Sequence, residues 1–202
     1  MTIKNIVFDV GNVLIKWSPQ DIVRHFFNQE RSSDELMLKL FKSSVWFDLN
    51  LGKLTEKEVI QIYKKQLGIP EETLENLMIA VRESLVPLEG SIELLEELYD
   101  QGYPLYSITD NVIEIVSYLK TRYDFFQKFS GIVVSGEIGA LKPSPLPYKT
   151  LIESYSLVPE ETLFIDDLDK NVMGAQAIGL KGMQFMNAAQ CRLDLRDLGV
   201  NV

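Results

Sequence analysis

Cysteine is nearly absent from this chain: Cys191 is the single one, and one thiol cannot build an intramolecular disulfide framework. Basic charge is also short. Twenty Lys and Arg face 29 Asp and Glu, leaving a formal charge of −9 and a pI near 4.7. Nucleic acids and anionic membranes both demand a basic footprint, so neither is expected as the main partner. Any anionic substrate must therefore meet locally inverted charge. Apolar runs are short as well, and none reaches membrane-spanning length. No charged-then-apolar leader precedes the first apolar segment, which leads us to expect a cytoplasmic protein. Internal repeats and low-complexity tracts are missing too. What is present is an ordinary globular complement, 202 residues with 46% hydrophobic, enough for one large α/β domain or a core with a smaller insert.

The most informative stretch is Ile6-Val7-Phe8-Asp9-Val10-Gly11-Asn12-Val13-Leu14. An unbroken apolar run carries a carboxylate to its end and then turns through Gly-Asn, as a buried parallel strand delivering Asp9 to a sheet edge would. Leu163-Phe164-Ile165 runs into Asp166-Asp167 in the same way. Ligands of open α/β sheets bind at that edge. Three clustered carboxylates repel one another and titrate upward unless something positive sits among them, and a divalent cation with oxygen ligands is the simplest answer.

The chain between and beyond these strands has two textures. From about Gln20 to Leu85 there is helical periodicity and no strand. Ile22, Val23, Phe26 and Phe27 form one apolar face, Leu36, Leu38, Leu40 and Phe41 a second, Val59, Ile60, Tyr63 and Leu67 a third. A fourth helix opens at Pro70 and carries Leu74, Leu77, Met78 and Val81. After Pro87 helix and strand alternate. Ser91 can cap a helix closed by Gly102, and Pro104 to Ile108 is a strand ending in Thr109-Asp110. Gly131 to Ser135 reads as a strand, Pro147 to Tyr155 as a helix, Val172 to Ile178 as a helix stopped by Gly179, and Gly182 to Phe185 as the last strand. The first strand is thus separated from its continuation by an all-helical insert.

Four short motifs stand in order, each at a strand end or in the loop after one: Asp9-Val10-Gly11-Asn12-Val13, Thr109, Lys142-Pro143 and Asp166-Asp167. Together they resemble the haloacid dehalogenase-like hydrolases, in the subgroup with a helical cap inserted after the first strand, and the resemblance covers essentially the whole chain. It implies an α/β fold, a Rossmann-like parallel-sheet core with helices on both faces, built from residues 1–15 and 86–202, and an all-helical cap at 16–85.

The groups themselves suggest the chemistry. A carboxylate such as Asp9 can attack phosphorus in line and give an aspartyl-phosphate that water hydrolyses, which splits one hard step into two. Mg²⁺ held by Asp9, a backbone carbonyl near Gly11, and Asp167, with Asp166 directly or through water, would lower the repulsion between anions. Family resemblance puts the direct contact on Asp167. Lys142 supplies a cation for nucleophile and phosphate, and Thr109 a hydroxyl donor; Asp110 is a further phosphate-side candidate that can equally cap a helix, as can Asn171. The departure from the family pattern is Gly11, where most of its phosphatases carry an aspartate that protonates the leaving oxygen. Losing such a group costs about 10² to 10⁴ in rate. Relatives that resemble this chain in having Asp-x-Gly-Asn look like sugar-phosphate phosphatases.

The expected activity is a Mg²⁺-dependent phosphatase acting on a small phosphorylated metabolite. Halide displacement from a 2-haloacid is the competing chemistry, and a non-catalytic member binding a phosphate ligand or a protein is the competing class. Asp166-Asp167 argues against the first, and retention of nucleophile, lysine and metal acids against the second. His25, the sole histidine, could donate the missing proton from the cap. Trp17 and Trp46 could line the substrate pocket or pack the cap, and Asp169-Lys170 reads as a solvated turn.

Overall fold

A computed structural model describes residues 2–27 and 33–202. Strand β1 (Asn5–Phe8) is followed by five helices in a row, α1 (Pro19–Phe27), α2 (Ser33–Phe41), α3 (Ser44–Asn50), α4 (Glu56–Leu67) and α5 (Glu71–Ser84). Alternation then begins with α6 (Ser91–Asp100), β2 (Leu105–Thr109), α7 (Ile113–Arg122), β3 (Phe129–Val134), α8 (Ser135–Ile138) and α9 (Pro145–Tyr155). It ends with β4 (Thr162–Asp166), α10 (Asp169–Gln176), β5 (Lys181–Gln184) and α11 (Ala188–Asp197).

All pairings are parallel, in the order β3-β2-β1-β4-β5. Both faces of the sheet are covered, and the period of two decides which side chain goes where. Ile6, Phe8, Leu163 and Ile165 join a core shared with α6, α11 and the helices between β1 and β2. Val7, Ile108, Val133 and Phe164 point the other way, against Tyr148 and Leu151 of α9 and Ala175 of α10. Because the first crossover runs to one side of β1 and a later one to the other, the order reverses at β1. That is where a crevice opens beyond the carboxyl ends of the strands.

Several expectations shift in detail. The stretch from Gln20 to Leu85 holds a helix beyond the four expected, α3, with Ser43 accepting the Trp46 N–H at its N-terminus. Ser91 does not cap α6: Gly90, with φ of 72°, takes that place, and Ser91 is the first helical residue with its hydroxyl buried and unpartnered. Only glycine sits there without strain, since a left-handed backbone penalises a Cβ. Helices α7 and α11 were not anticipated at all. The α10 helix starts earlier than expected, at Asp169, and Gly179 (φ 95°) follows its end. No helix among the described residues is long and apolar enough to cross a membrane.

Candidate active site

Register brings the acids together. Phe8 pairs with Ile165, and the Asp9 N–H donates to the Ile165 carbonyl at 2.9 Å, so the next residue on each strand, Asp9 and Asp166, emerge side by side. Thr109 ends β2 on the opposite flank of β1, with Asp110 just beyond it. Asp9, Asp166 and Asp167 each offer a carboxylate oxygen within 4.8 Å of the others.

Lys142, from the loop after α8, enters this cluster. Its side chain is 1% exposed, and Nζ lies 2.8 Å from Asp9 Oδ1 and 2.7 Å from Asp166 Oδ2. It also donates to the Ile108 carbonyl at 3.2 Å. The Asp110 carboxylate accepts the Lys142 backbone N–H at 3.0 Å. Asp110 therefore holds the lysine loop in place.

Asp166 is fully buried and its oxygens are already occupied. Oδ1 accepts from the Leu168 N–H at 2.9 Å and from Asn171 Nδ2 at 3.0 Å, while Oδ2 accepts from Lys142 and again from Asn171. Asn171, in the first turn of α10, thus fixes Asp166, and Asp166 orients Lys142. Asp167 is the acid of the pair left half-exposed at the cavity.

Burial dominates the electrostatics. It pushes the Asp9 carboxyl up, with the Lys142 ammonium pulling it down and Asp166 raising it further. Burial also raises Asp110 and Asp167; for Asp167 the neighbouring Asp166 adds to the rise, while Lys142 and the Asn12 amide oppose it. Around Lys142 desolvation works against the charge, yet Asp9, Asp166 and Asp110 outweigh it and hold the ammonium above its ordinary value. One cation among four carboxylates leaves the pocket negative. A hard divalent cation with oxygen ligands fits this donor set, with Asp9 and Asp167 the available acids.

Asp9, Asp110 and Asp167 line a cavity of about 310 Å³ together with Thr109, Gly11 and Asn12. Asn12 adopts the left-handed conformation (φ 55°) and accepts the Trp17 N–H at 2.9 Å, tying the strand-end turn to the start of the helical segment. Trp17 and Trp46 do both things the sequence allowed: they stack on each other and line the cavity. His25 is elsewhere. It is exposed on α1 with Nδ1 2.7 Å from the Asp21 carbonyl, and it lines a second cavity with Lys16, Ser84 and Val86.

Sequence reasoning missed Ser135 and Asn111. The Ser135 hydroxyl accepts the Asn111 N–H at 2.9 Å and lies 2.8 Å from the carbonyl of Asn50 at the end of α3, joining helical segment to sheet. Its position at the end of a strand was the one available signal.

Known proteins resemble this chain in sequence and in fold. The family model described as haloacid dehalogenase-like hydrolase matches residues 6–185. A sesquiterpene phosphatase, astK, of Aspergillus oryzae is 26% identical over 98% of this chain and 97% of its own length. A D-ribitol-5-phosphate phosphatase of Bacteroides thetaiotaomicron is 26% identical over 96% of this chain and 97% of its own. A solved structure of a HAD family enzyme from Bacteroides thetaiotaomicron, in complex with magnesium and inorganic phosphate, superposes with a TM-score of 0.74 at 22% identity, covering 90% of this chain and 93% of that one.

Proposed function

We propose that this chain, which belongs to the haloacid dehalogenase-like hydrolase family, is a Mg²⁺-dependent phosphatase that hydrolyses a small phosphorylated metabolite through an aspartyl-phosphate on Asp9. The observation that carries the reading is the convergence of Asp9, Lys142 and Asp167 on one cavity at the sheet's switch point. The phosphatases among its relatives and the magnesium and phosphate held by a protein of the same fold support it.

Residues 1–15 and 86–202 carry the chemistry in this reading, and residues 16–85 are the cap that closes over it. Asp9 Oδ1 accepts both the Lys142 ammonium and the Val10 N–H, the latter at 2.7 Å. Those two contacts fix the carboxylate plane, and Oδ2, which bears neither, is the oxygen that attacks. Lys142 then offsets charge on the transferring phosphoryl group while Asp166 and Asn171 keep its ammonium from swinging away. Thr109 contributes a hydroxyl at the phosphate end. Asp9, Asp167 and a carbonyl near Gly11 are the residues that would hold the metal, with Asp166 the third acid of the cluster. When bound, Mg²⁺ supplies charge neutralisation between the nucleophile and the phosphate. The halide-displacing alternative needs no such acid cluster beside the nucleophile, and three converging carboxylates favour phosphoryl transfer.

Beryllium fluoride, which mimics a phosphoryl group on a carboxylate, tests this directly. With Mg²⁺ it should stabilise the protein by roughly 2.7 kcal/mol at a hundredfold excess over its dissociation constant. Thermal melting of the wild type and Asp9→Asn reads the effect; an indifferent wild type with an intact fold overturns the proposal.

A further inference from the structure

Resting on the phosphatase reading, we propose that the substrate is the monophosphate ester of a largely apolar alcohol, its hydrocarbon group seated against Trp17, Phe41, Trp46, Leu85, Ile115 and Leu119. These side chains line the same cavity as Asp9 and Lys142. They come from five places: the segment before α1, α2, α3, the return from α5, and α7. Phe41 packs edge-on to both tryptophans, with ring centroids 5.7 Å from Trp17 and 4.8 Å from Trp46. The tryptophans lie 6.0 Å apart and nearly parallel. Rings that lock one another present a rigid wall rather than an adaptable one.

Each asparagine beside this wall spends one of its two amide groups on the backbone. Asn12 accepts from the Trp17 N–H, Asn50 donates to the Trp46 carbonyl at 2.7 Å, and Asn111 accepts the Val112 N–H at 2.9 Å. Lys42 lines the cavity from an exposed position and so belongs to its rim. A polyol placed against the six apolar side chains would leave the hydroxyls that face them unpaired, each unmade hydrogen bond weakening binding about ten- to a hundredfold. A hydrocarbon group pays no such penalty and loses its own water against the wall. The volume, about 310 Å³, lies at the small end of ligand pockets, which span about 300–1,000 Å³. That suits a phosphate with one ring or a short branched chain.

The test is kcat/KM of the full chain with Mg²⁺ on four esters of primary alcohols: 3-phenylpropyl and citronellyl phosphate against ribitol 5-phosphate and glucose 6-phosphate. Acetyl phosphate, which engages only the phosphate end, serves as control. Either apolar ester should exceed both polyol esters at least tenfold, and which of the two leads tells whether a flat ring or a branched chain fits better. In Trp17→Gln the apolar-to-polyol ratio should fall at least fivefold, a readout that does not depend on how much of the variant is folded. Acetyl phosphate turnover with a ratio near one, or favouring polyols, overturns the apolar assignment and leaves the phosphatase reading standing. An unchanged ratio in Trp17→Gln overturns the placement of the hydrocarbon on this wall. Failure to hydrolyse any of the five compounds overturns the phosphatase reading, and this inference with it.

Discussion

The ammonium of Lys142 sits 2.8 Å from Oδ1 of Asp9, with both side chains nearly sealed from solvent. A buried cation with two carboxylate partners is held by their mutual need, since removing one member strands the others without water or countercharge. The same contact that orients the nucleophile therefore bears on the stability of the fold.

Lys142→Met should destabilise the protein by about 3–5 kcal/mol, because Asp9 and Asp166 are left facing each other unpaired. Adding Asp166→Asn to that variant should recover part of the loss. Urea unfolding of the two single variants and the double variant measures the coupling, and strict additivity would show that the pair does not act as a unit.

Asp9→Asn should lower Mg²⁺-dependent hydrolysis of para-nitrophenyl phosphate by more than about a hundredfold, since an amide is a far weaker nucleophile than a carboxylate. Near-normal turnover in a variant with an unaltered circular dichroism spectrum would place the nucleophile elsewhere.

Gly11 has an ordinary backbone conformation, and a Cβ built there meets nothing closer than Trp17 Cβ at 3.9 Å. An aspartate fits this position, where most of the family's phosphatases resemble one another in having it. The wild type should favour aryl over alkyl esters steeply, and Gly11→Asp should raise alkyl ester turnover at least about tenfold by supplying the missing acid. His25→Ala should change neither rate, because that ring lines a different cavity. A wild-type rate independent of leaving-group basicity would reveal another proton donor.

Metal binding should compete with protons at this site. Burial lifts the Asp9 carboxyl from 3.8 to about 8, and raises Asp167 from the same ordinary value. The folded chain thus holds these protons more tightly than the unfolded one. Their contribution to stability is complete below the ordinary carboxylate pKa and is lost as pH climbs, for Asp9 towards about 8. Mg²⁺ binds the ionised acids, so its stabilising effect on the melting temperature should be larger at pH 8 than at pH 5, and binding should release protons detectable by calorimetry in buffers of different ionisation enthalpy. Asp167→Ala should remove most of the metal effect; an unaltered Mg²⁺ titration in that variant would mean that other residues hold the ion.

The strands that carry Asp9, Thr109 and Asp166 were legible because an apolar run closed by an acid or a hydroxyl is a local signal. So was the helical segment between β1 and β2, through its apolar spacing. Helix α3 escaped because its seven residues, Ser44–Asn50, are too few to establish a period of 3.6. Helix α11 buries only Ala188, Cys191 and Leu195, a pattern too sparse to stand out from a polar tail. The tasks of Asp110 and Asn171 were ambiguous for another reason. Each type serves both caps and sites, and only their actual partners, the Lys142 N–H and the Asp166 carboxylate, distinguish the two.

Sequence alone, then, determined which residues could do chemistry and at which strand ends they stand, because a strand's period and its terminating residues are properties of consecutive positions. Tertiary structure decided how the acids divide their labour. Asp166 became the support of Lys142 when donors from α10 and from a loop 24 residues earlier filled its oxygens, leaving Asp167 at the cavity. It also decided that Trp17, Phe41 and Trp46 line one cavity with Asp9 while His25 does not. Those outcomes depend on distances of a few ångströms between segments far apart in the chain. Coulombic, hydrogen-bond and packing energies act through that space, and no pattern of neighbouring residues encodes it.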